Sequence, residues 1–512
     1  MKINASNQLS TQPSPSAYIL GLFKGKNPNH YDKTTTFLDQ KVQELTAQII
    51  KEDKFNGEVG STVTFRTGQE APAQKIILVG LGDEAKFNLD TIRIASAAAI
   101  KAATGLRAQN VLTMLPESGN GNVSAYETAL EMVETSQSAL YRFNKYKSQK
   151  QLDGIDTFTI VETDEKKLKE IEAGIKRGEA ISQARSLARY IMNEPANYMT
   201  PTQLAITADK VARENDLQIE VLDLDTCVNK YGMGAFKAVA QGSKEPAKFI
   251  IIKYEPRNKP RKHIALVGKG VTFDAGGLDL KSRARMEPMR FDKGGAASVI
   301  ATMSLMKELQ PDVAITAIVP ATENMPGGGA MRPGDIVRAM NGKSIEILDT
   351  DLEGRLILAD GIAYAVSLGA DEIIDVATLT PEAALALGLS YTALMSNDKE
   401  LTNRIVTAGN KCGEKMWELP LDDDYRDYIQ SNSADIKNTG PQTMIGDLVG
   451  AQIGAVFLEN FIVDSKGNAT PWVHLDISGS GWPNPKLEAK YGLAGPPGVA
   501  VRTFANYLTE QG

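Results

Sequence analysis

The chain has 512 residues, 42% of them hydrophobic, and its 56 basic against 63 acidic residues leave a formal charge of −7. That length buries a large core and favours two or more domains, which excludes disordered and fibrous classes, while the acidic balance argues against nucleic acid or anionic lipid as a partner. Cys227 and Cys412 are too far apart for a CxxC pair, and His30, His263 and His474 form no HExxH, so a disulfide framework, a zinc ribbon and a histidine-built zinc protease are excluded.

Residues 1–16 are polar and proline-spotted, with no basic-then-apolar leader, and no apolar run reaches membrane-spanning length. A cytoplasmic protein of a reducing compartment, without a membrane partner, is the expectation. Short apolar runs at 17–22, 75–79, 111–114 and 158–161 read as strands, with helical periodicity at 37–50, 89–103 and 126–143, predicting an N-terminal α/β domain over 1–163. VGLGD at 79–83 lacks GxGxxG and reads as a strand-ending turn. Residues 164–192 form a long charged helical pattern that suits a connector, 164–195, and Pro195 and Pro201 end it and permit a new helix from Thr202, with Thr200 as a possible cap. Over 196–512, strand-like runs at 219–224, 249–254, 263–267, 313–319, 344–348 and 372–377 alternate with helical patterns. The fold class is therefore α/β in two domains, the larger C-terminal one with a mostly parallel sheet flanked by helices.

The stretch LVGKGVTFDAGGLDLKSRARMEPMRFDKGG, 266–295, reads as a buried strand feeding a loop that holds Lys269, Asp274, Lys281 and Asp292. A second strand-like run, 344–348, leads to Asp349, Asp351, Glu353 and Arg355 at the start of a helical pattern over 356–366. Ligands of open α/β sheets bind where strands end, so two such junctions can converge far apart in sequence. Any one of these acids is more often a solvated loop residue or a helix cap. Four of them, Asp274, Asp292, Asp351 and Glu353, supply the charge that two divalent cations need. Lys269 reads either as a snorkelling lysine or as an amine that dications drive neutral and ligate. Lys281 could stabilise an oxyanion, and Arg355 could clamp a carboxylate, phosphate or bicarbonate. No GxSxG elbow and no Walker motif is present, which disfavours serine-hydrolase and nucleotide readings.

DTDLEGRL at 349–356 resembles the NTDAEGRL signature of the leucyl (cytosol) aminopeptidases, and VGKGVTFDAGGLDLK at 267–281 and MRFDKGGAA at 289–297 are similar to that family's other metal segments. NEPANYMTP, GMGAFKAVAQGS, IDVATLT, WELPL and WVHLDISGSGW extend the resemblance over essentially all of the C-terminal domain. It implies a two-metal aminopeptidase in which Asp274 and Glu353 bridge, Asp351 completes one site, and Lys269 with Asp292 completes the other. Lys281 would polarise the peptide carbonyl, while Arg355 would hold a bicarbonate acting as general base for a metal-bridging hydroxide. Met289, Thr378 and the 478–481 segment align with the pocket for an apolar, leucine-like N-terminal side chain. The resemblance further implies Mn or Zn, or else Mg, as the two divalent ions, peptides as substrates, and a homohexamer. Asp349, Leu352, Lys293 and Pro381 depart from the family pattern without removing a ligand; Asp349 adds charge, and Pro381 deletes an N–H beside the expected substrate site. Because some members also bind DNA, a nucleic-acid-binding regulator is the competing reading, and a metal-free structural relative is a third.

Overall fold

The computed structural model describes residues 1–8, 15–25, 40–67, 73–116, 123–149, 154–443 and 446–511. His30 and the expected helix start at 37–39 lie outside the described residues. The chain forms two compact units, Met1–Gln183 with Pro485–Ala494, and Ala184–Asn484 with Gly495–Gly512. Among the described residues no helix is long and apolar enough to cross a membrane.

The first unit carries a six-stranded sheet in the order Lys2–Ser6, Thr157–Val161, Asn110–Met114, Ala17–Phe23, Lys75–Gly82, Thr62–Arg66. Only Thr62–Arg66 runs antiparallel to its neighbour. The inner strands are the apolar runs of the sequence. The two outermost, Lys2–Ser6 and Thr62–Arg66, escaped the sequence reading because an edge strand buries few side chains and TVTFR alternates half-buried with exposed positions. Asn88 and Ser124 cap helices Leu89–Gly105 and Ala125–Leu140, Ser124 through a reciprocal capping box with Glu127. The long charged pattern forms one helix, Glu165–Asn193, and the boundary between the two units falls within it. Helix Pro201–Glu214 follows, with Thr200 accepting from the Gln203 N–H.

The sheet of the second unit runs Lys415–Glu418, Tyr391–Ser396, Trp472–Asp476, Glu372–Ala377, His263–Gly268, Ala314–Asn324, Lys248–Tyr254, Gln218–Asp223, and Gly270–Asp274 pairs alongside Ala314–Asn324. Its central strands are parallel, and antiparallel pairs stand towards both edges. Glu372–Ala377 is buried at every position, as expected of a strand covered by helices on both faces. Two expectations need correction. The segment after His263–Gly268 is not at once a loop: Gly270–Asp274 is a second strand, because Ala314–Asn324 is long enough to pair with both. The run 344–348 forms Ser344–Ile347 outside the central sheet, in a three-stranded sheet with Asp335–Arg338 and Ile436–Lys437. Its half-buried, buried alternation distinguishes it from the central strands.

Two glycines bring helix Gly294–Met303 onto the sheet. A Cβ on Gly295 would stand 2.1 Å from the Val376 carbonyl, and one on Gly268 would stand 2.6 Å from the Gly295 carbonyl. Only a bare backbone permits that approach.

Candidate metal centre

Lys269 occupies the one-residue break between His263–Gly268 and Gly270–Asp274. Its N–H donates to the Val376 carbonyl and its own carbonyl accepts from Ala296, so sheet and helix pin it from both sides. Asp274 ends the second strand, Asp292 follows the short turn Glu287–Phe291, and Glu353 begins helix Glu353–Ser367. The positive end of that helix favours the Glu353 carboxylate.

These side chains converge. Ligand oxygens of Asp274, Asp351 and Glu353 all lie within 4.8 Å of one another. Lys269 Nζ stands 2.9 Å from Asp292 Oδ1 and 2.8 Å from Glu353 Oε1. Lys281 Nζ stands 2.5 Å from Asp274 Oδ2 and also donates to Asp351 Oδ1. Four carboxylates thus face two ammonium groups, a buried excess of negative charge. Burial presses the Lys269 ammonium towards neutrality, but Asp292, Glu353 and Asp274 outweigh it and hold its pKa above the ordinary value. Burial, reinforced by Glu353 and Asp274 and opposed by Lys269, keeps Asp292 above the usual carboxylate range. Glu353 goes the other way: burial would raise it, and Lys269 and Lys281 bring it lower. Among the described residues no hydrogen-bond donor reaches Asp292 Oδ2 or Glu353 Oε2, although both are buried. Buried anionic oxygens without donors are costly alone, and cations satisfy them. The donor set, hard carboxylate oxygens and an amine, therefore fits divalent metal ions.

A cavity of about 760 Å³ opens over the cluster. Lys269, Asp274, Lys281, Met289, Asp292, Asp351, Glu353 and Thr378 all line it, with Leu379, Leu385, Leu389 and Trp482 as apolar wall. Thr378 spends its hydroxyl on Asp292 Oδ1 at 2.7 Å, and its carbonyl accepts from Lys269 Nζ at 2.8 Å. Arg355 stands apart: it is buried beside the lining residues, and its Nη1 donates to the Asn438 carbonyl at 2.7 Å.

Two departures from the family pattern have local explanations. Asp349 Oδ1 accepts the Asp351 N–H at 2.7 Å, the turn contact that an asparagine oxygen makes equally well. Pro381 is the first residue of helix Pro381–Leu387, capped by Thr380, where an N–H has no intrahelical acceptor to lose.

The sequence reading missed the residues that join the two acidic segments. Asn324 Nδ2 donates to Asp274 Oδ1 at 2.8 Å and to the Thr350 carbonyl at 3.0 Å, while Thr350 and Asp279 exchange hydrogen bonds of 2.8 and 2.7 Å. Asn438 accepts from Leu348 and donates to the Asp349 carbonyl. Asp476 receives the backbone N–H groups of Leu379 and Thr380 and the Thr380 hydroxyl. Asn324 and Asn438 stand in no charged motif, Asp279, Thr350 and Asp476 lie in motifs read for other residues, and the partners of all five lie tens of residues away.

A family model described as the cytosol aminopeptidase family, catalytic domain, matches residues 186–505, and the N-terminal domain model of the same family matches 19–150. A probable cytosol aminopeptidase of Alkaliphilus oremlandii (strain OhILAs) is 37% identical over 508 residues, 98% of each chain, and one of Nostoc punctiforme (strain ATCC 29133 / PCC 73102) is 39% identical over 509 residues, 99% of each. Among solved structures, a tomato leucine aminopeptidase mutant superposes with a TM-score of 0.85 at 31% identity, covering 100% of this chain and 96% of that one. The bottromycin maturation enzyme BotP in complex with Mn gives 0.83 at 29% identity, covering 97% and 99%.

Proposed function

This chain belongs to the cytosol aminopeptidase family, and from that membership we propose a two-metal aminopeptidase that removes apolar, leucine-like N-terminal residues from peptides. Hydrolysis by an aminopeptidase is the activity the family carries; metal count, residue roles and specificity are our reading. One observation carries it: three buried carboxylates, a fourth half-buried one and an amine line one cavity, and two of their oxygens have no donor among the described residues.

Asp274, Asp292, Asp351 and Glu353, with the Lys269 amine, would hold the two divalent ions. Mn or Zn, or else Mg, fits such donors. When bound, the ions supply Lewis acidity and a water acidic enough to attack at neutral pH. Lys281, whose ammonium reaches Asp274 and Asp351 at the cavity, would polarise the scissile carbonyl and stabilise the developing oxyanion. Arg355 would hold bicarbonate through its guanidinium, in the first turn of the helix that begins with Glu353. Thr378 orients Asp292, and Met289 with the apolar wall excludes water around the N-terminal side chain. We further propose a cytoplasmic homohexamer with Glu165–Asn193 as the connector between an N-terminal domain and the catalytic domain. The reading is tested with amino-acyl amides assayed in Mn²⁺, Zn²⁺, Mg²⁺ or chelator. Leucyl amides should be cleaved only with metal, and full activity after exhaustive metal removal refutes the proposal.

A further inference from the structure

Three cations line the catalytic cavity among the described residues, and they are not equivalent. Lys269 is buried and Lys281 half-buried, each divided between two carboxylates. Arg285, on the short helix Arg283–Met286, keeps 63% of its side chain exposed and touches the cluster only through Nη2, 3.2 Å from Asp351 Oδ2. It is the one guanidinium on the described lining.

The cluster has two ends. At one, Thr378 donates to Asp292, and the Met289 carbonyl accepts the Asp292 N–H at 3.3 Å; at the other, Asp351 faces Arg285. A peptide whose N-terminal side chain lay by Met289 and Thr378, as the proposed function has it, would run past Asp351 towards Arg285. One residue of extended chain spans about 3.3–3.6 Å, so the carboxylate of a dipeptide stays within a residue's length of the scissile carbonyl. Arg285 Nη2 stands 3.2 Å from a carboxylate of the cluster, on the same cavity lining. Asp351 engaged by a cation competes less for the guanidinium fork, which matches a carboxylate bidentately.

We propose that Arg285 receives a carboxylate on the leaving side of the substrate, which makes short peptides with a free C-terminus the preferred class. The inference rests on the aminopeptidase reading and deepens it. Its test compares kcat and KM for Leu-Gly with Leu-Gly amide, and for Leu-Asp amide with Leu-Asn amide, in the wild type, Arg285→Ala and Arg285→Lys. Each ratio is taken on one metal-analysed preparation, so occupancy cancels, and thermal unfolding confirms the fold of each variant. Wild type should favour Leu-Gly over its amide by about fivefold to tenfold in kcat/KM, mainly through KM, a size set by a charge-assisted contact at a partly exposed site. Arg285→Ala should bring the ratio within about twofold of unity, and Arg285→Lys should recover part of it. A loss confined instead to the Leu-Asp amide pair assigns the contact to a side-chain carboxylate and overturns the preference for a free C-terminus. A preference that survives Arg285→Ala, or is absent from the wild type, overturns the inference while leaving the aminopeptidase reading intact. Cleavage of none of the four by metal-loaded enzyme overturns that reading and this one with it.

Discussion

Lys269 and Lys281 lie twelve residues apart in one motif and both touch the carboxylate cluster, yet their surroundings assign them different work. Lys269 is held by backbone on two sides and faces Asp292 and Glu353, the setting of a ligand; Lys281 reaches in from a loop towards the cavity. Lys269→Ala should lower metal content at one site. Lys281→Ala should keep both metals and slow kcat by about 10²–10³-fold, the loss expected for one oxyanion donor. Elemental analysis beside kcat decides it, and equal metal content in the two variants means the roles are misassigned. Lys293 makes a separate prediction. Its ammonium is fully buried against the carbonyls of Glu194 and Arg290, and burial, then Arg290, push its pKa down to about 7. The unfolded lysine holds its proton to about pH 10.4, so unfolding takes up a proton between those values. Stability from this group is present at high pH and lost as pH falls towards 7. The Tm of the wild type relative to Lys293→Met should therefore rise from pH 7 to pH 9.5, and a difference independent of pH would contradict the assignment.

At the scale of elements, the cluster depends on how closely helix Gly294–Met303 approaches the sheet. That helix follows directly on Asp292 and Lys293, and Lys269 bonds to its first turn. A methyl group at Gly295 meets main-chain atoms at 2.1 Å and 2.8 Å, which cannot rotate away. Gly295→Ala should thus separate strand from helix, destabilising the fold by about 1–3 kcal/mol and lowering metal content, measured by denaturant unfolding and elemental analysis. Retention of both would show that the backbone yields more readily than close packing implies. Asn324→Ala tests the other junction. It leaves the Thr350 carbonyl without the Asn324 amide and frees Asp274 Oδ1 from a donor, so the loop carrying Asp351 should loosen and kcat fall while the central sheet stays intact by circular dichroism.

For the whole molecule, divalent ions that bind the folded cluster and not the unfolded chain add to stability by mass action. Chelation should lower the Tm, because four clustered carboxylates, three of them buried, are then left facing two lysines, and restoring Mn²⁺ should return it. An unchanged Tm would mean that the cluster carries no metal. Sedimentation or light scattering of the same preparations measures the proposed hexamer directly, a monomer at working concentration being the result against it.

Much of this was legible in the sequence because the relevant signals are local. Buried strands such as Glu372–Ala377 need unbroken apolar runs, helix Pro201–Glu214 needs a threonine cap and a proline at its start, and the acidic motifs keep their charged residues within a few positions of one another. Those local requirements determined the α/β class and the family resemblance, and they singled out Lys269, Asp274, Lys281, Asp292, Asp351 and Glu353, which the structure brings together. Only the tertiary structure decided the rest. Ser344–Ile347 pairs outside the central sheet, Gly270–Asp274 becomes a strand because a long neighbour offers it hydrogen bonds, and Asn324, Asn438 and Asp476 tie the site together across 26 to 97 residues of chain. The contact of Arg285 with Asp351 was equally unreadable. A polar side chain announces its type in the sequence, but its partner is whichever donor or acceptor the packed backbone brings within about 3 Å, and that is settled only when the sheet, its helices and their loops close together.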